Sequence, residues 1–187
     1  MLHLPKDAAL VIIDVQRGFE DGTWGTRNNP QAEANIALLL EAWRRTSRPV
    51  RHIHHDSSSP KGSFLPGSPG NEPKAEVRPH AGEEVYRKRV NSGFIGTSLE
   101  SDLRRDGITT LVVVGLTTNH CVSTTTRMAG NLGFDTFIVS DATATFERLT
   151  VDGRMRSAQD VHDAALSDLS EEFATVVTTD EVLRATL

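Results

Sequence analysis

Ala8-Ala9-Leu10-Val11-Ile12-Ile13-Asp14 is a continuous apolar run that ends in a carboxylate. A half-exposed strand alternates apolar and polar side chains. A run without alternation, rich in β-branched residues, predicts a strand buried on both faces. Thr109-Thr110-Leu111-Val112-Val113-Val114-Gly115 repeats the pattern further along. Shorter strands are expected at 50–54, 84–88, 134–140 and 173–178. Helical patterns fall between them. Asn29-Pro30 supplies a cap and a first-position proline for a helix whose Ile36, Leu39, Leu40 and Trp43 share one face. Thr97 and Glu100 form a capping-box pattern for a helix stopped at Gly107. Further helices are expected at about 119–132, stopped by Gly133, and at 155–169. Strands alternating with helices pair in parallel through right-handed crossovers. The expected fold is α/β: a three-layer α/β/α sandwich around a six-stranded, mostly parallel, Rossmann-like sheet, with residues 1–187 as a single domain.

Composition narrows the function classes. The chain has 187 residues, 37% of them apolar, and 20 Lys and Arg against 25 Asp and Glu give a net charge of −5. A protein of this length buries roughly 70% of its unfolded surface, enough to fold without a staple. The acidic balance argues against nucleic acid or an anionic membrane as partner. No apolar run approaches the roughly 18 residues of a membrane span. The N-terminal Met-Leu-His-Leu-Pro-Lys-Asp lacks the basic-then-apolar order of a signal peptide. One cysteine rules out an internal disulfide and suits a reducing compartment, so the expected location is the cytoplasm.

In open parallel sheets, ligands bind beyond the carboxyl ends of the strands. Three reactive residue types fall there. Asp14 closes the first predicted strand, Lys88 closes the third, and Cys121 follows Gly115 at the start of a predicted helix. Singly these read as a loop anchor, a solvated charge and a small buried hydrophobe. Together they form a reaction centre. A thiol at a helix N-terminus beside a lysine is expected to have a depressed pKa, and a neighbouring carboxylate takes its proton and later returns it.

Three stretches resemble the isochorismatase-like cysteine hydrolases, a family that includes nicotinamidases, carbamoyl-amide hydrolases and isochorismatases. They are Val11-Ile12-Ile13-Asp14-Val15-Gln16 with Phe19, Lys88 followed by Asn91-Ser92-Gly93-Phe94-Ile95-Gly96-Thr97, and Gly115-Leu116-Thr117-Thr118-Asn119-His120-Cys121-Val122. The similarity runs over about residues 8 to 145. It implies a catalytic triad of Cys121, Asp14 and Lys88, a cis peptide between Leu116 and Thr117, and an oxyanion hole made by the Thr117 and Cys121 amides. The implied reaction is hydrolysis of a C–N bond in a small non-peptide amide or carbamoyl compound through a thioester. Isochorismatases that cleave a vinyl ether often lack the cysteine, so Cys121 favours C–N cleavage over that alternative. Phe19, Gln16, Trp24, Asn91 and Phe94 are candidate pocket residues. The resemblance also implies a homo-oligomer, dimer or tetramer, acting on a small molecule without a cofactor.

Other readings compete. His120 to Arg127 matches His-Cys-x5-Arg, the cysteine-phosphatase signature, but the intervening Val122, Ser123, Thr124, Thr125 and Thr126 include no glycine. A loop that wraps phosphate in successive amides needs permissive backbone, and on a helix Arg127 points away from Cys121. His52, His54, His55 and Asp56 suggest a metal site. Nicotinamidases carry Asp-x-His near this point; here the order is His54-His55-Asp56 and a third ligand is hard to assign, so no metal is expected. A non-enzymatic binding domain predicts a missing triad position, and none is missing. The Gly- and Pro-rich loop at 56–83 reads as a lid or a subunit interface.

Overall fold

The computed structural model describes residues 2–186. Six strands form one sheet: β1 (Ala9–Ile13), β2 (Val50–His55), β3 (Glu84–Lys88), β4 (Thr110–Leu116), β5 (Asp135–Ala144) and β8 (Thr175–Val177). Their order is β3-β2-β1-β4-β5-β8 and every neighbouring pair is parallel. The run that opened the sequence, as β1, occupies an interior place in the sheet, with all five residues buried. Successive side chains of a strand face opposite ways, and β1 divides accordingly. Leu10 and Ile12 meet Ile36, Leu39, Leu40 and Trp43 of α1 (Ala32–Arg45) and Val182 of α5 (Thr179–Ala185). Ala9, Val11 and Ile13 belong to the opposite core with Leu99 and Leu103 of α2 (Leu99–Arg105), Ala129 of α3 (Ser123–Asn131) and Leu166 of α4 (Ala158–Ser167). This is the expected α/β/α sandwich.

Two elements lie outside the expectation. A hairpin of β6 (Arg148–Leu149) and β7 (Met155–Arg156) follows β5, and α5 follows β8. Asn29 does not cap α1, which starts at Ala32 after Gln31. It takes a left-handed φ of 42°, and its Nδ2 donates to the carbonyls of Ser140 (2.9 Å) and Thr143 (2.8 Å). Nor does Thr97 open a capping box: the cap position is Ser98, and Thr97 Oγ1 donates to Gly93 O at 2.6 Å.

Two details set the geometry at the carboxyl edge. Gly115, paired with Ile13, has φ +124°, and a Cβ there would sit 2.1 Å from the Ile13 carbonyl, so only glycine lets β4 run so close to β1. The Leu116–Thr117 peptide is cis, as the resemblance implied.

The loops that overhang this edge are tied to α1 by Glu33. It accepts from Arg27 Nη1 (2.8 Å) and from Lys74 Nζ (2.6 Å), with its side chain 12% exposed. Burial opposes its ionisation, but the hydrogen bonds and charges of Arg27 and Lys74 prevail and hold the carboxyl down at about 2. A carboxyl depressed on folding contributes stability at pH above its ordinary 4.5 and loses it as pH falls towards 2. The shift corresponds to roughly 3 kcal/mol. Urea titrations across that window are expected to show the loss in the wild type and a flattened profile in Glu33→Gln, which is also the less stable protein at neutral pH.

Candidate active site

The carboxyl ends of β1, β3 and β4 bring the three reactive residues together. Asp14, directly after β1, has a left-handed φ of 52° and donates its amide to Ile53 O at 2.8 Å. Lys88 is the last residue of β3, and its Nζ donates to Asp14 Oδ2 at 2.7 Å. Both side chains are sealed, at 0% and 2% exposure. Cys121 is half-buried in a wide π turn, Thr118–Val122, that leads into α3. Ligand atoms of Asp14, His55 and Cys121 all lie within 4.8 Å of one another. Asp14 Oδ1 is buried without a hydrogen-bond partner. A buried acceptor left unpaired costs about 1–3 kcal/mol, and here a thiol proton or a substrate N–H is the group able to satisfy it.

The site opens into a cavity of about 500 Å³. Phe19, Trp24 and Phe64 form one wall, with ring centroids 4.8–6.1 Å apart. Ser57, Lys61, Ser63 and Asn91 offer polar groups, and Thr117 and His120 border the same space as Cys121. Of the expected pocket residues, Phe19, Trp24 and Asn91 therefore line the cavity, and Gln16 and Phe94 do not. Gln16 is 0% exposed because its amide is spent on backbone: Nε2 donates to His55 O (3.0 Å) and Asn71 O (2.9 Å), and Oε1 accepts from His55 N (2.8 Å). Phe94 packs into the core under α2, stacked on Phe134 at 6.0 Å.

The thiol also departs from expectation. Burial, reinforced by the Asp14 carboxylate, pushes Cys121 up to about 12, although Lys88 pulls the other way. Desolvation outweighs the helix terminus and the lysine. Burial raises Asp14 as well, against the opposing charge and hydrogen bond of Lys88. At rest the Cys121 thiol is therefore protonated, with the Asp14 carboxyl close beside it. Ultraviolet titration is expected to show no thiolate at neutral pH, the band emerging only in strongly alkaline solution.

The remaining candidates separate. His52 Nε2 binds Glu83 at 2.8 Å on the α1 side of β2, and His54 is buried beside it with ring centroids 6.4 Å apart. His55 projects towards Asp14, Lys88 and Cys121, with Nδ1 3.2 Å from Lys88 Nζ. The four-residue cluster is thus split across the sheet. The Asp14, His55 and Cys121 trio suits a cation poorly, because the Lys88 ammonium already lies against two of its members. Arg127 pairs with Asp168 (3.7 Å) and sits 4.8 Å over Phe173, in a groove away from the cavity, so the phosphatase geometry is not formed. His120 borders the cavity and binds Arg148 Nη1 at 2.5 Å, whereas His162 is buried against Thr118 Oγ1 at 2.9 Å. Among the described residues, no helix is long and apolar enough to cross a membrane.

The chain and its fold are similar to known proteins. Residues 8–181 match the isochorismatase domain model. The isochorismatase-family protein YrdC of Bacillus subtilis is 49% identical over 180 residues, 96% of each chain. Nicotinamidase 3 of Arabidopsis thaliana is 30% identical over 195 residues, covering 97% of this chain and 90% of the plant protein. The crystal structure of an isochorismatase-family protein from Chromobacterium violaceum superposes with a TM-score of 0.97 at 44% identity, covering 99% of this chain and 96% of that one. The chain belongs to the isochorismatase family of hydrolases.

Proposed function

We propose that the protein hydrolyses the C–N bond of a small non-peptide amide or carbamoyl compound through a thioester on Cys121. The observation that carries this reading is the convergence of a sealed Lys88–Asp14 pair, with one carboxylate oxygen unpaired, on the only thiol of the chain at the floor of a cavity. Asp14 takes the thiol proton as Sγ attacks the substrate carbonyl, and Lys88 holds the carboxylate in place. Carbonyl oxygen becomes an oxyanion, for which the amides of Thr117 and Cys121 serve as donors; one such donor typically contributes a factor of about 100 to 1,000. Asp14 returns its proton to the departing nitrogen as the C–N bond breaks. Water, deprotonated by Asp14, then attacks the thioester, and the released thiolate recovers the proton.

The aromatic wall of Phe19, Trp24 and Phe64 suits a flat or apolar acyl group, and the cavity volume suits a small molecule. A chain with one thiol that must stay reduced fits the cytoplasm. Assembly into a dimer or tetramer has support in the exposed Leu149, Val151 and Met155 of the β6–β7 hairpin. The deciding experiment is a screen of linear and aromatic amides and carbamoyl compounds for ammonia release, followed by mass spectrometry of the quenched enzyme. An acyl adduct on Cys121 is expected. Turnover with no adduct under rapid quench, and none in a hydroxylamine trap, would sink the thioester.

A further inference from the structure

His55 is held more firmly than its place at a strand end requires. Its backbone N–H and C=O are both bound by the Gln16 side chain, at 2.8 and 3.0 Å, and the same carbonyl accepts from Asn71 Nδ2 at 2.9 Å. Gln16 has no exposed surface, so this clamp is entirely internal. The ring stands edge-on to Phe64 at 5.9 Å and is paired in register with Lys88 across β2 and β3. Backbone and ring are thus fixed from both sides.

The Lys88 contact determines the tautomer. An ammonium has donors only, so at 3.2 Å from Nζ the Nδ1 atom of His55 accepts. Burial, and then the charge of Lys88, lower the imidazole below its ordinary 6.5, with Asp14 and Asp56 opposing, so the ring is neutral at neutral pH. A neutral imidazole that accepts at Nδ1 carries its hydrogen on Nε2. Among the described residues Nε2 has no protein partner, and His55 borders the cavity. The fold therefore builds an oriented, unpaired N–H donor beside the nucleophile.

We infer that His55 is a specificity-determining residue, whose Nε2–H binds a hydrogen-bond acceptor carried on the acyl group of the substrate, next to the scissile carbonyl. The preferred substrates are amides with an ether oxygen, a carbonyl oxygen or a ring nitrogen on the carbon next to the scissile carbonyl, over their carbon isosteres. This rests on the amide-hydrolysis reading, which supplies the scissile carbonyl.

Two pairs of isosteric amides test it: methoxyacetamide against butyramide, and picolinamide against benzamide. The ratio of kcat/KM within each pair is measured for wild type, His55→Leu and His55→Gln. Taking the same ratio in each protein cancels intrinsic reactivity. The ratio is expected to fall about tenfold in His55→Leu, the worth of one hydrogen bond, and to be largely restored in His55→Gln, whose amide N–H reaches the position of Nε2. A ratio unchanged in His55→Leu would overturn the inference. If that variant does not fold, a lower ratio in His55→Gln than in His55→Asn, whose shorter amide reaches only the Nδ1 position, overturns it equally. A second readout needs no substrate: nitrogen NMR at neutral pH is expected to show a pyridine-type Nδ1 and a pyrrole-type Nε2. The reverse tautomer would overturn the inference even if amides are hydrolysed. The expected tautomer together with no turnover of any amide would instead bring down the amide reading and, with it, this substrate preference.

Discussion

Cys121→Ala is expected to reduce amide hydrolysis by at least about 10⁴-fold while leaving the fold intact. The magnitude follows from the proposed mechanism: no neighbouring group replaces the atom that would form the covalent bond, and removing a nucleophile from a set that acts together costs nearly as much as removing the set. Stability should barely change. Cys121 is half-buried at the edge of the core that contains Val122 and Ala129, and losing one sulfur there forfeits little packing. It also removes a thiol whose ionisation burial and Asp14 oppose. A loss near 1 kcal/mol moves the midpoint of a protein this size by about 2–4 °C. Activity is read by ammonia release and stability by calorimetry. Retained turnover in the alanine variant would remove the covalent mechanism.

The other large effect concerns stability. Lys88→Met leaves Asp14 sealed without its cation, and breaking a buried pair from one side costs about 3–5 kcal/mol, enough to lower the melting midpoint by roughly 6–20 °C. The loss should also depend on pH. Without Lys88, the carboxyl of Asp14 rises further above its ordinary 3.8 and remains neutral in the folded protein. A group raised on folding contributes stability only below its unfolded value, and the penalty grows by about 1.4 kcal/mol for each pH unit above it until the folded group ionises. Lys88→Met is therefore expected to be much nearer wild type at pH 5 than at pH 8. The double variant Asp14→Asn with Lys88→Met, which buries no charge, should recover much of the loss at pH 8. Denaturant midpoints of the three variants at both pH values decide this, and a pH-independent loss in Lys88→Met would show that the pair is not what holds the two strand ends.

The sequence makes part of this architecture plain. The runs at 8–14 and 109–115, short, without alternation and rich in β-branched residues, read as strands covered on both faces, and their charged or glycine ends mark the edge where ligands bind in such sheets. Asp14, Lys88 and Cys121 are legible for that reason. Features set by tertiary register are not. His55 stands beside Lys88 because β2 and β3 pair in parallel, a contact between residues 33 apart. Side-chain alternation would have separated it from His52 and His54 and placed it at a strand end, so a signal was present. Gln16 sits in the same motif as Asp14, yet its amide serves the backbone, which only the fold of the neighbouring loop determines. The thiol's elevated pKa depends on burial by distant segments, whereas its place in the chain suggests the opposite. The β6–β7 hairpin has two residues per strand and no periodicity to detect. Helix α5 did leave a trace: Thr178 and Glu181 form a complete capping box.

The loop between β2 and β3 supplies Ser57, Lys61, Gly62, Ser63 and Phe64 to the cavity wall, and it contains none of Asp14, Lys88 and Cys121. Glu33 fastens its far end through Lys74, and Asn71 fastens its middle to the backbone of His55 and Phe64. On the proposed reading, a large part of the substrate-facing wall is thereby written in a stretch of the gene apart from the residues assigned to the reaction. Within it Phe64 stands against the His55 ring and is to be kept, so when a new amide is wanted in the laboratory the positions to randomise are Ser57, Lys61 and Ser63, outside the strand ends.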